Sequence, residues 1–250
     1  MPDYDFKSPR LFVEADLAAN GRIPLDPAQA NYLGNVMRLD AGASVLAFNG
    51  RDGEWLCHLE KPSKKKADLL PQECLRPQTP PPTLAYLFAP LKHARLDYMV
   101  QKAVEMGAGI LQPVMTQHVQ ASRLNIDRMR ANAVEAAEQC GILTIPDCRE
   151  PLKFDAALTQ YLPLGPMIFC DEREDAQSPL QTLASLAKGP MSLLIGPEGG
   201  FSAEERARLQ GEAGVTAISL GPRILRADTA AVAALAVVQA AIGDWSAGNG

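Results

Sequence analysis

The sequence predicts an α/β protein in two parts, a small β-barrel at the N-terminus and a larger C-terminal domain built on a parallel sheet with helices on both faces. Three observations carry this expectation. Strand-like runs dominate up to about residue 75, a proline cluster follows, and beyond it strand and helix patterns alternate to the end of the chain.

In the first part, "RLFVEA", "SVLAFN" and "EWLCHLE" read as strands, the last two separated by Gly50-Arg51-Asp52-Gly53 with Asn-Gly and Asp-Gly turn chemistry. One helix interrupts them. Asp26-Pro27-Ala28-Gln29 supplies an N-cap, a proline at the first helical position and a glutamine three residues after the cap, which predicts helix over residues 27–38. Short strands at this spacing predict a small barrel over residues 1–75.

Residues 76–83, "RPQTPPPT", form the predicted linker, because consecutive prolines forbid helix and central strand. Residues 84–250 form the predicted second domain. Its strands are "LAYLFA", "ILQPVM", "MIFCD", "SLLI" and "VTAISL"; its helices run from about Ala94 to Met106, Asp127 to Cys140, and from Pro179, Ala203 and Thr229. In the first of these helices Leu96, Met99, Val100, Ala103 and Val104 recur at helical spacing, and Gly107 ends it. Ser178-Pro179-Leu180-Gln181 and Ser202-Ala203-Glu204-Glu205 both have capping-box form.

At 250 residues, 47% of them hydrophobic, the chain has ample material for a core. No basic-then-apolar leader opens it, and its longest apolar stretch, Ala230 to Ile242, is short and interrupted by Gln239. The expectation is a cytoplasmic protein with no membrane partner. Five scattered cysteines without a C-x-x-C pair read as reduced thiols, and three widely separated histidines offer no metal-ligand spacing. The net charge of −5 disfavours bulk coating of nucleic acid and leaves room for local basic patches.

Two loops carry the chemistry. "LLIGPEGGFSAEE", residues 193–205, places Gly196-Pro197-Glu198-Gly199-Gly200 between a strand and a helix, where backbone N–H groups usually cradle a phosphate. It lacks Gly-Lys-Ser/Thr and does not fit G-x-G-x-x-G. Glu198 would repel a polyphosphate, so the loop suits a cationic ligand or one offering hydroxyls and amines, as S-adenosyl-L-methionine does; alternatively Glu198 only solvates a turn. The second loop, residues 221–228 of "LGPRILRADTAAVAAL", sets Ile224 and Leu225 in a long connection, where they are expected to bury against the core or to wall an apolar pocket. Arg226 and Asp228 then stand at its mouth, with the helix cap at Asp228 or Thr229. Both loops fall at carboxyl ends of strands and are expected to line one site.

"IGPEGGFSAEE" followed by "SLGPRILRADTAAVAAL", with "DYMVQKAVEMGAGILQPV" and "EAAEQC" upstream, resembles the SPOUT-superfamily methyltransferases that modify N3 of a uridine in 16S ribosomal RNA. "PRLFV" and "NYLGNVMRLDAGASVLAFNG" are similar to that family's RNA-binding, PUA-like barrel. The resemblance implies a C-terminal SPOUT-type parallel sheet tied in a deep trefoil knot, and a homodimer acting on 16S ribosomal RNA in the small ribosomal subunit. It implies S-adenosyl-L-methionine held by Leu194, Ile195, Gly196, Pro197, Glu198, Gly199, Gly200, Ser219, Leu220, Gly221, Ile224, Leu225, Arg226 and Thr229. The chain departs from the family in carrying Asp228 where glutamate is common, Cys140-Gly141-Ile142-Leu143 after E-A-A-E-Q, and His118 near a usual arginine.

Methyl transfer to N3 requires loss of the N3 proton. Asp228 or Glu198 would accept it, and Arg226 would stabilise charge on the uracil carbonyls. Arg226 could instead only pair with Asp228. The base must leave its stack to react, so folded RNA is the expected partner. Candidate RNA contacts are Arg10, Arg38, Lys92, Arg95 and Lys102, with the run Lys61 to Lys66 as either a further contact or a solvated loop. Two other readings keep most of these residues: methylation of a different RNA nucleotide, or a non-catalytic RNA-binding assembly factor.

Overall fold

The structure, a computed structural model, describes residues 7–63, 66–119, 124–171 and 178–246. Its chain divides into two compact units, the residues up to Pro80 with Ala137–Ile145, and Pro81–Ala136 with those from Pro146 onward.

The first unit contains β1 (Arg10–Phe12), β2 (Ile23–Pro24), α1 (Pro27–Asn31), β3 (Ser44–Phe48), β4 (Glu54–Ser63) and β5 (Lys66–Arg76). They form one sheet in the order β1-β3-β4-β5-β2, parallel only between β1 and β3. The pairing sets β1 and β2 at the two ends of the order, and the three strands expected before the linker join in this one small sheet. Val45, Ala47, Cys57, Leu59, Ala67 and Leu69 alternate along β3, β4 and β5 onto one core with Leu11 and Leu33. Gly53 closes the β3–β4 turn at φ 84°, where a Cβ would meet the Arg76 carbonyl.

Asp26 caps α1 as its sequence predicts, with the reciprocal Gln29 bond present. The helix does not continue as α to residue 38: Tyr32–Val36 widens into a π turn, and Arg38 leaves it at φ 54°. β5 was not expected. Its charges and Pro71 argue against a central strand, yet Pro71 pairs with Cys57 on β4 at a point beyond the short contact with β2, where its other edge owes no ladder bond. Strand therefore takes up part of the basic run, Lys61 in β4 and Lys66 in β5, while Lys64 and Lys65 lie outside the described residues.

The second unit runs β6 (Leu84–Phe88), α2 (His93–Glu105), β7 (Ala108–Met115), α3 (Ile126–Cys140), β8 (Asp147–Cys148), β9 (Leu152–Lys153), α4 (Phe154–Tyr161), β10 (Met167–Cys170), α5 (Pro179–Ala184), β11 (Met191–Ile195), α6 (Ala203–Gly211), β12 (Val215–Ile218) and α7 (Ala227–Ala241); the last turn of α3 groups with the first unit. The sheet order is β12-β10-β11-β6-β7-β8, with β9 also on β7, and every pair is parallel. β6 and β11 are buried along their whole length, as strands covered on both faces must be.

Three local expectations are corrected. Ser178 precedes α5 without a side-chain cap bond; its carbonyl instead takes both the Gln181 and Thr182 N–H groups, which leaves no donor for a capping box. α7 begins at Ala227 with Arg226 as N-cap, so neither Asp228 nor Thr229 caps it. α4 was missed, although it buries Phe154, Ala157, Leu158 and Tyr161 on one face.

Candidate functional site

At the carboxyl ends of β10, β11 and β12 the second unit encloses a cavity of about 280 Å³, near the lower end of the roughly 300–1,000 Å³ usual for small-molecule sites. Parallel pairing of β10 with both β11 and β12 places all three strand ends at one edge. The loops after β11 and β12 therefore meet. Ile195, Gly196, Pro197, Glu198 and Gly200 line the cavity from the first, and Leu220, Gly221, Ile224 and Leu225 from the second.

Each loop is set by local chemistry. Gly200, at φ 69°, donates its N–H to the Pro197 carbonyl at 2.8 Å and closes a tight turn. Ser202 then caps α6, accepting from Glu205 N–H at 3.2 Å while its own N–H donates to the Glu205 carboxylate at 2.9 Å. In the second loop the Ser219 hydroxyl accepts from Gly221 N–H at 3.3 Å. Gly221 adopts φ 96° with nothing within 4 Å of where a Cβ would stand, so the missing side chain leaves open space at the cavity wall.

Glu198 is half exposed, and Arg95 of α2 approaches its carboxylate at 3.5 Å. Ile224 is 92% exposed and lines the cavity, so of the two expectations it does not pack against the core and does stand on the pocket wall, at the rim where a bound ligand would cover it. Leu194 is buried within β11, and Gly199 faces away toward His118.

Arg226, Asp228 and Thr229 do not line the cavity, because the first turn of α7 turns Ala227 and Ala230 toward it. The Arg226 side chain is exposed and makes no cap bond. Asp228 accepts from Thr229 N–H at 2.8 Å. Beneath, burial, helped by Cys170 and Asp228, holds the Tyr86 phenol well above its usual range.

The sequence reading missed the wall that β10 provides. Cys170 and Asp171 line the cavity, and Arg206 of α6 bonds Asp171 at 2.6 Å with both side chains largely buried. Burial, with a smaller contribution from Asp171, pushes the Cys170 thiol up to about 12. The carboxyl-end rule applied to "MIFCD" would have found both residues. Phe201, Pro222 and Arg223 complete the lining.

The expected RNA contacts are scattered. Arg38 and Lys92 are exposed, and Arg95 is engaged with Glu198. Lys102 bonds Glu105 at 2.7 Å and lies over the Tyr98 ring. Arg10 is corrected outright: its side chain is 8% exposed, and with Arg76 it clamps the buried Glu54 carboxylate, a structural bond of the first unit.

The donor set and shape fit S-adenosylmethionine. Apolar Leu220, Leu225 and Ile224 can flank a flat ring, the open space at Gly221 admits close backbone approach, and the Glu198 carboxylate complements a cation or ribose hydroxyls. Among the described residues no cluster of metal-ligating side chains occurs.

Residues 78–239 match the RNA methyltransferase domain family, and residues 25–72 the RNA methyltransferase PUA domain family. Ribosomal RNA small subunit methyltransferase E of Rickettsia conorii is 31% identical over 232 residues, 92% of this chain and 94% of that protein. The Bacillus subtilis protein of the same name is 29% identical, covering 84% and 86%. Among solved structures, ribosomal RNA small subunit methyltransferase E from Neisseria gonorrhoeae bound to S-adenosyl methionine superposes with a TM-score of 0.83 at 25% identity, over 95% of this chain and 99% of that one. A Legionella pneumophila structure with the bound cofactor SAM gives 0.79 at 28%, over 94% and 98%.

Proposed function

The chain belongs to the RNA methyltransferase family, and from that premise we propose that it transfers a methyl group from S-adenosylmethionine to N3 of a uridine in 16S ribosomal RNA. The observation that carries the reading is the cavity in which the Gly196–Gly200 loop and the Leu220–Leu225 loop meet, with a carboxylate, an apolar wall and open glycine space on its lining. In this reading the substrate is the RNA of the small ribosomal subunit, and the enzyme works in the cytoplasm. Its C-terminal domain is SPOUT-type, closed by a deep trefoil knot, and it acts as a homodimer. The apolar composition of α7, which leaves Val232, Ala233, Ala236 and Val237 only partly covered within the chain, supports the dimer.

When bound, S-adenosylmethionine supplies an electrophilic methyl on sulfonium and departs as the neutral thioether. The Gly196–Gly200 and Leu220–Leu225 loops would hold the cofactor, orient it toward the base and exclude water. Asp228 or Glu198 takes the N3 proton, which leaves the N3 lone pair available to the methyl that bound S-adenosylmethionine would supply. Arg226 stabilises the negative charge that develops on the uracil oxygens; its exposed guanidinium makes no ion pair among the described residues.

The test is to incubate the purified protein with S-adenosylmethionine and small ribosomal subunits from cells lacking the enzyme, then to identify methylated nucleosides by mass spectrometry. New 3-methyluridine is expected. A different methylated nucleoside would keep family and cofactor and replace the target. Cofactor binding without product on subunits, naked ribosomal RNA or transfer RNA would favour the assembly-factor reading.

A further inference from the structure

Outside the cavity, the segment that follows β7 forms a strap against the glycine turn. Thr116–Val119 closes as a turn, with Val119 N–H on the Thr116 carbonyl at 3.2 Å. Gln117 N–H donates to the Glu205 carboxylate at 2.8 Å, the same carboxylate that receives Ser202 N–H. Next to it, His118 Nδ1 lies 3.2 Å from the Gly199 carbonyl and 3.1 Å from the Gly200 carbonyl. The contact is also steric, since a Cβ on Gly199 would stand 3.3 Å from His118 Cβ.

Two carbonyl oxygens accept and cannot donate, so Nδ1 must carry the proton and share it between them. A peptide unit is planar with its C=O and N–H on opposite sides, so anchoring these carbonyls also sets the direction of the following N–H groups. A Gly199 side chain would point at His118, and the cavity is lined by Gly196, Pro197, Glu198, Gly200 and Phe201 but not Gly199. Consecutive glycines have more backbone freedom to lose than any other pair, and a ligand that must order them binds more weakly for it.

We propose that His118 is a positioning residue for the cofactor site: by donating Nδ1–H to the Gly199 and Gly200 carbonyls it holds the Glu198–Gly200 turn in its binding shape before S-adenosylmethionine arrives. The proposal rests on the cavity being the S-adenosylmethionine site. It acts through the loop and needs no contact between the imidazole and the ligand.

The test is isothermal titration of the full-length protein with S-adenosylmethionine, comparing wild type with His118→Ala, His118→Asn and His118→Asp. Asparagine places an N–H donor where Nδ1 stands, whereas aspartate places only an acceptor there. His118→Ala should bind about tenfold more weakly, His118→Asn within about threefold of wild type, and His118→Asp no better than His118→Ala. Amide hydrogen exchange over residues 198–201 in the ligand-free protein should speed up in the alanine and aspartate variants and stay slow in the asparagine variant. If all variants bind like wild type, the positioning role is wrong while the cofactor site stands. Equal weakening in the asparagine and aspartate variants would overturn the Nδ1–H donor. If wild type itself fails to bind, the site reading falls and takes the proposal with it. Should the alanine variant fail to fold, the asparagine and aspartate pair decides alone.

Discussion

Arg206 of α6 reaches Asp171 at the end of β10, Nη2 to Oδ2 2.6 Å, with the two side chains 18% and 6% exposed. Nothing in the stretch of sequence between them marks them as partners. Removing the arginine takes a close cationic partner from a largely buried carboxylate at the cavity wall, and losing one member of such a pair costs more than the pair contributes. Arg206→Ala should destabilise the protein by about 2–3 kcal/mol in urea denaturation, and the double variant Asp171→Asn/Arg206→Met should recover most of the loss. A double variant no better than the single would show that the pair is not what the site depends on.

Glu198 and Arg95 stand 3.5 Å apart with both side chains nearly half exposed, so their attraction is worth at most about 0.5 kcal/mol to stability. The carboxylate matters for the ligand. Glu198→Gln should leave the melting temperature within about 2 °C of wild type yet weaken S-adenosylmethionine binding about fivefold or more. Arg95→Ala removes a competing cation and should not weaken it. Calorimetric titration of both variants checks the contrast.

Arg226 is exposed and directly precedes Ala227 of the cavity lining, so its loss should appear in catalysis rather than in folding. Arg226→Ala should lower turnover at saturating RNA and cofactor by about a hundredfold, with stability unchanged within about 0.5 kcal/mol. A normal turnover number would rule out the electrostatic role.

The thiols should differ sharply in reactivity. Burial pushes Cys57 up to about 12 and Cys148 to about 11, and Cys170 stands at about 12 through burial and Asp171. Cys74 and Cys140 are exposed. At pH 8 iodoacetamide should therefore label Cys74 and Cys140 first, with Cys170 slow even though it lines the cavity. Time-resolved peptide mapping reads the order directly.

Asp52 accepts from Leu17 N–H at 2.9 Å and Asn49 Nδ2 at 2.7 Å, and these bonds, the backbone one first, hold its carboxyl below the usual range. A lowered folded-state value means stability that is fully present above the unfolded value of about 3.9 and is lost as pH falls through the folded one. Wild type should exceed Asp52→Asn by about 1 kcal/mol between pH 5 and 7, and the difference should shrink steadily as pH falls below the unfolded value of about 3.9 toward the lowered folded-state one. Trp55, whose indole N–H donates to the Asp52 carbonyl at 2.9 Å, reports the transition by fluorescence.

The sequence by itself determined the features that rest on hydrogen bonds within four or five residues. Asp26 and Ser202 cap their helices through the residue three positions on, the Gly50–Gly53 turn joins its two strands, and alternating patterns place the Gly196–Gly200 loop at a strand end. Where a local rule had a competitor it failed: at Ser178 the carbonyl took the amides a side-chain cap would have served, and α7 began ahead of the expected caps, on Arg226. Only the tertiary structure decided what meets across the sheet. The order β12-β10-β11-β6-β7 sets Asp171 beside the glycine loop, and the strap after β7 carries His118 to carbonyls more than eighty positions away. Such contacts follow from which parallel strands become neighbours, a choice made by burial of whole faces, and no short window of residues records it.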